Sequence, residues 1–210
     1  MFVDGAKDSL QFETDANRFE ETAMTSKSQE TVVAAQFGPR AAAYVTSAVH
    51  SQGPDLEELA ALVSGHPQAR VLDLGCGGGH VGFHAAPHVR EVVCYDPCYE
   101  PFSKLPEGKF DGVICTDVLE HCPEQDLPWI IGELFSYATR FVFANVACFP
   151  ARKRLPNGEN AHCTIQPVAW WVDLVRQIAL DHPGVAWEFW VQSKKTTPEG
   201  ASLVEQKISG

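Results

Sequence analysis

Basic residues are scarce in this 210-residue chain: 16 lysines and arginines stand against 27 aspartates and glutamates, for a formal charge of −11. Such a surface repels a phosphate backbone, so DNA and RNA are poor candidates for a partner. Only Arg152, Lys153 and Arg154 form a dense basic cluster. Long apolar runs are also missing. None approaches the length of a membrane span, and no N-terminal signal peptide is visible. The seven cysteines (76, 94, 98, 115, 122, 148 and 163) include no Cys-x-x-C pair and no zinc-type spacing with histidine, so no metal site is expected. Their odd number, and their place in apolar stretches, read as reduced thiols of a cytoplasmic protein. There are no internal repeats. The length suits one α/β domain with a short extension.

Glycine, by contrast, is concentrated in one place. Residues 71–80 read Val-Leu-Asp-Leu-Gly-Cys-Gly-Gly-Gly-His. The apolar run over 70–74 predicts a buried parallel strand, and the glycines a tight turn into a helix over 80–86. In dinucleotide-binding folds this arrangement seats a pyrophosphate. Here His80 occupies the place of the third glycine of G-x-G-x-x-G. Asp73, two residues before the first glycine, would repel a diphosphate. It suits a ligand carrying an ammonium and a sulfonium.

Asp73-Leu-Gly75-Cys-Gly77-Gly-Gly79 resembles motif I of the class I S-adenosylmethionine (SAM)-dependent methyltransferases. The resemblance implies a Rossmann-like α/β sheet with helices on both faces and an antiparallel closing strand. It also implies SAM as cofactor, with Asp73 orienting its methionine ammonium and the backbone from Gly75 through Cys76 and Gly77 to Gly79 along its middle. A second strand over 91–95 ends on Asp96, 21 residues beyond Gly75 (96 − 75), where a carboxylate accepts hydrogen bonds from ribose hydroxyls. Pro97 adjoins it. The segment 97–109 holds Pro97, Pro101 and Pro106 and is too short for a helix plus a strand. The family's third strand is therefore expected to be missing, with Tyr99, Phe102 or the 115–121 segment forming the adenine wall.

Phe110-Asp-Gly-Val-Ile-Cys-Thr-Asp117, followed by Val118-Leu-Glu-His121, resembles the family's motif IV, an apolar strand leading into D-V-L-E-H. Asp117 and Val118 are expected beside the cofactor, and His121 beside the methyl acceptor as base or orienting group. A helix over 126–138, an apolar strand over 139–147, a long loop over 148–167, a helix over 167–180 and two closing strands over 185–194 and 202–208 complete the core. The loop carries Asn160 and His162, a second candidate base, near Trp170 and Trp171. Its stretch 155–162 resembles a segment of uncharacterised bacterial and phage methyltransferases.

Before motif I, residues 1–30 read as a flexible leader and 31–66 as a helical cap, with the methyltransferase core over 67–210. The stretch 36–50 resembles the cap of the ubiquinone/menaquinone-biosynthesis type, which implies that Phe37, Tyr44 and His50 line the pocket, Tyr44 against the cofactor. The expectation is SAM-dependent methyl transfer to a small or medium-sized acceptor. The alternative is a SAM-binding protein without turnover, acting as a sensor or partner subunit. Oligomeric state is not readable.

Overall fold

The computed structural model describes residues 54–197 and 200–210. The expected leader, most of the expected cap, and Phe37, Tyr44 and His50 lie outside the described residues. In chain order the main elements are α1 (Pro54–Ser64), β1 (Arg70–Leu74), α2 (His80–Ala85), β2 (Glu91–Tyr95), β3 (Phe110–Cys115), α3 (Leu127–Tyr137), β4 (Ala138–Ala147), α4 (Val168–Ala179), β5 (Ala186–Thr197) and β6 (Gly200–Ser209).

These form one six-stranded sheet in the order β2-β1-β3-β4-β5-β6. The first five strands are parallel, and β6 runs antiparallel to β5 along the far edge. All five parallel strands therefore end on one side of the sheet, the side where ligands of open α/β sheets lie.

Side chains alternate between the two faces, as a pleated strand requires. Leu72, Val113, Val142 and Ala144 meet Leu127, Ile131, Leu134, Phe135, Trp171 and Val175 of α3 and α4. Val71, Ile114 and Phe143 meet Leu56, Leu59 and Val63 of α1 and Ala85 of α2. The three apolar residues of α1 follow helical spacing, so one stripe is buried, and Asp55 and Glu57 stand in its first turn, where the helix dipole favours acids. Burial of each such leucine, isoleucine or phenylalanine contributes about 1.5–3 kcal/mol. Gly112 lies under the Phe141 ring: a Cβ there would stand 2.0 Å from Cζ. That close approach accounts for a glycine in a central strand.

Between β2 and β3 there is no strand among the described residues. Residues 97–109 hold only a 3-10 turn, Glu100–Phe102, and the Asp96 N–H donates to the Phe102 carbonyl at 3.0 Å. The loop thus doubles back onto the end of β2, which becomes the sheet edge. The expected missing strand is indeed missing. Two expectations need adjustment. The strand expected over 110–117 stops at Cys115, because Asp117 takes a left-handed conformation (φ 54°) that a strand cannot contain. And β4 is not apolar throughout: Asn145 is buried within it.

Candidate active site

The glycine turn is built from backbone. Gly75, Gly77 and Gly79 have φ of 78°, 52° and 84°, a region that side-chain-bearing residues avoid. The N–H groups of Gly75 and Cys76 both donate to the Tyr95 carbonyl, at 2.8 and 3.2 Å, which locks the turn to the end of β2. Gly75 is also pressed against Val118, whose Cγ2 would stand 2.4 Å from a Cβ. At Gly77 a Cβ would meet nothing within 4 Å, so this part of the turn borders open space.

Asp96 braces the turn from β2. Its Oδ2 accepts the Gly77 N–H at 2.7 Å and its Oδ1 accepts the Cys98 N–H at 2.7 Å. Pro97 beside it is exposed. Tyr99 and Phe102 pack edge to face, 5.4 Å apart, and Phe102 lies next to Gly79. Asp73 lies beneath. It is 1% exposed, and its Oδ2 accepts the Gly82 N–H at 2.9 Å, tying β1 to α2. Burial pushes its carboxyl up to about 7; the Gly82 hydrogen bond opposes this and the nearby Asp96 adds to it. Cys76 is buried beside Cys94. The hydrogen bond between the two thiols, together with burial, holds the Cys76 thiol well above its ordinary range.

A second group gathers at the ends of β3 and β4. The Asp117 N–H donates to Asn145 Oδ1 at 2.6 Å, and Asn145 Nδ2 donates to Asp55 Oδ2 at 2.8 Å. Asn145, 1% exposed, therefore joins α1, β4 and the β3 exit. Asp117 is exposed at the end of the turn after β3, with protein packed around its carboxyl. This desolvation, and then the charge of Asp55, raise its carboxyl to about 6. Glu120 is 1% exposed. Its Oε1 accepts a long bond from the Ala147 N–H at 3.3 Å, and its Oε2 has no hydrogen-bond partner. Burial, and then Asp117, push its carboxyl up to about 8.

The two expected histidines meet here. His121 and His162 pack edge to face with ring centroids 4.9 Å apart. His121 Nδ1 lies 2.7 Å from the Ala161 carbonyl, and His162 Nδ1 lies 2.6 Å from the Phe149 carbonyl. A carbonyl only accepts, so each Nδ1 carries the proton and each neutral ring has its lone pair on Nε2. Burial lowers both rings in basicity, His121 to about 4. The loop that supplies His162 is held by Asn160, whose Oδ1 accepts the N–H groups of Ala151 and His162, both at 2.9 Å. The structure thus uses Asn160 as a loop brace. Of the two tryptophans in the first turn of α4, Trp171 is fully buried in the core.

Sequence reasoning passed over Asn145 and Asp55. The available signal was an amide inside an apolar strand, where only a specific partner offsets the cost of burying it.

A family model described as a methyltransferase domain matches residues 42–184. Two solved structures share the fold. One is the Burkholderia thailandensis 1,6-didemethyltoxoflavin-N1-methyltransferase, with 1,6-didemethyltoxoflavin and S-adenosylhomocysteine bound. It covers 86% of this chain and 88% of its own, at 14% identity and a TM-score of 0.55. The other is the Synechocystis PCC 6803 magnesium protoporphyrin IX methyltransferase with bound SAM, covering 86% and 97% at 18% identity and a TM-score of 0.54. No curated protein matches the chain. The family match runs from the segment ahead of α1 to the loop after α4 and takes in both groups of residues just described: the chain belongs to the methyltransferase-domain family.

Proposed function

We propose that this protein is a SAM-dependent methyltransferase acting on a small or medium-sized acceptor. The observation that carries the reading is that an open-sided glycine turn, a braced carboxylate and two oriented histidines all lie in segments that follow the carboxyl ends of the parallel strands.

The residues fit the cofactor. The bare face of Gly77 leaves room for a ligand against the backbone. Each Asp96 oxygen accepts one hydrogen bond from a backbone N–H, and a carboxylate has about four acceptor positions, so two remain for ribose hydroxyls. Tyr99, Phe102 and the segment from Asp117 would wall the adenine. Asp73 serves by holding the turn from below. When bound, SAM supplies a methyl group already activated on a sulfonium. The protein's part is then alignment and exclusion of water. A nitrogen or oxygen acceptor becomes strongly acidic as it gains a methyl, so a weak base suffices. His121, neutral at pH 7, is in the accepting form, and His162 is beside it.

Support for a small acceptor comes from the charge of −11 and from the resemblance of the N-terminal part to the quinone-biosynthesis type. No helix among the described residues is long and apolar enough to cross a membrane. The seven cysteines stand as free thiols, which supports a reducing, cytoplasmic setting.

Calorimetric titration of SAM and S-adenosylhomocysteine into wild type and Asp96→Ala tests the proposal. Micromolar binding that weakens about tenfold in the variant, about 1.4 kcal/mol, is expected. Methyl transfer from labelled SAM to a panel of small acceptors follows. A wild type that binds neither ligand would overturn the reading.

A further inference from the structure

Glu120, His121 and His162 do more together than a base needs. A carboxylate oxygen of Glu120 and one ring nitrogen from each histidine all lie within 4.8 Å of one another. We propose that these three side chains bind one divalent transition-metal ion.

The first argument is the state of Glu120. Its side chain is buried, one oxygen has only a 3.3 Å bond from Ala147, and the other has no hydrogen-bond partner. Among the described residues no lysine or arginine forms an ion pair with it. Buried carboxylates are ordinarily paired or bound to a metal. A proton alone would satisfy Glu120, but it would not account for two imidazoles that each bring a ring nitrogen within 4.8 Å of that carboxylate.

The second argument is the way those imidazoles are held. Each places Nδ1 on a backbone carbonyl, Ala161 for His121 and Phe149 for His162. Metal-binding histidines are fixed in the same manner: one nitrogen donates to an outer acceptor, so the other presents its lone pair in a set direction. The backbone beside both carbonyls is held: the N–H of Cys148, next to Phe149, donates to the Gln192 carbonyl at 2.7 Å. Ala161 is buried and its N–H donates to the Lys153 carbonyl, while Asn160 fixes the backbone of Ala151 and His162. The trio is thus built on a braced loop.

The donor set points to the class of ion. Two imidazoles and one carboxylate suit zinc and its first-row neighbours better than magnesium or calcium, which prefer all-oxygen sites. Ligand atoms about 2.1 Å from a tetrahedral ion are about 3.4 Å apart. The trio therefore closes by at most about 1.4 Å on binding. Three protein ligands leave a position for water or for a donor atom of the acceptor, and in the metal-bound form the histidine lone pairs lie on the ion, so metal-bound water takes over the role of base. That use at the acceptor rests on the methyltransferase reading, whereas the binding does not. Spacing rules do not bring out the trio, because His162 arrives from a different loop.

The test uses full-length protein stripped with a chelator and titrated with Co2+, whose visible d–d absorption reports nitrogen and oxygen ligation, with Zn2+ as competitor. Wild type and His88→Ala are expected to bind one equivalent. His162→Ala and Glu120→Gln are expected to lose at least tenfold in affinity and to change the spectrum. Circular dichroism of each metal-free variant reports folding, and the half-buried position of His162 makes His162→Ala the decisive one. A wild type that binds no Co2+ overturns the proposal, as does a folded His162→Ala that binds as tightly with the same spectrum. SAM titrated into the same samples keeps the two readings apart, since its failure to bind bears on the cofactor alone.

Discussion

The two halves of the site are made differently. Around the glycine turn the working parts are backbone: N–H groups, left-handed glycines and one carboxylate whose two oxygens are both engaged by neighbouring amides. At the ends of β3 and β4 they are side chains from four separate segments. Asp55 comes from α1, Asn145 from β4, Glu120 and His121 from the turn after β3, and His162 from the long loop. The first half is a local structure that tolerates few side chains. The second is a convergence, and each member depends on a distant partner. The first should therefore fail through sterics, and the second through unsatisfied polar groups.

The largest test of that difference is Gly75→Ala against Gly77→Ala. At Gly75 the new methyl would enter Val118 at 2.4 Å with φ at 78°. Left-handed strain of about 1–2 kcal/mol and overpacking of about 1–3 kcal/mol add to a loss of about 2–5 kcal/mol in stability. At Gly77 only the strain applies, because the space is open. Its methyl would instead take up room proposed for the cofactor. Chemical denaturation and SAM calorimetry separate the two: Gly75→Ala should lose stability and binding together, and Gly77→Ala mainly binding. Equal stability losses would mean that the open side of the turn is not open.

In the second half, Asn145→Ala is the corresponding break. It strips the Asp117 N–H of its acceptor and Asp55 of its donor. Leaving such groups without partners costs about 1–3 kcal/mol, and the cavity adds to it, so a loss of about 2–4 kcal/mol in denaturant is expected. Because Asn145 joins α1 to the β3 exit, the variant should also free Asp117 to leave its left-handed conformation. A variant as stable as wild type would show that the bridge carries no weight and that the second half is not interdependent.

The same division explains what could be read in advance. The β1 strand, the turn and Asp96 lie within 27 residues (70–96), and their spacing alone carries the geometry. The missing strand was legible too, since three prolines in 97–109 leave no room for it. His121 and His162 were each visible as candidates, but not their contact, because nothing in the sequence states how far the loop folds back. Glu120 reads like any surface acid at a turn; only the packing shows that it is buried. Asn145 was the exception, a polar residue in an apolar strand, and was legible in principle.

A finer comparison concerns charge, since both halves bury a carboxylate, Asp73 in the first and Glu120 in the second. Asp73 sits under the turn with its pKa raised to about 7, chiefly by burial, against about 3.9 in an unfolded chain. Between those values the folded protein holds a proton that the unfolded chain has released. Asp73 therefore adds its full share of stability below about pH 4, and that share is lost as pH rises toward 7 and is level above it. From pH 6 to pH 8 the unfolded chain gains about 2.7 kcal/mol from ionisation of this group and the folded protein about 1.4, a net loss of about 1.3 kcal/mol. Asp73→Asn keeps an oxygen for the Gly82 N–H and removes the titration. Its stability should fall less than that of wild type between pH 6 and pH 8, by about that amount, in parallel denaturation series. Taking the difference between the two proteins cancels other titrating groups, including Glu120 in the second half. Identical slopes would mean that Asp73 is ionised throughout this range, and that the glycine turn rests on a buried negative charge rather than on a neutral hydrogen-bonded acid.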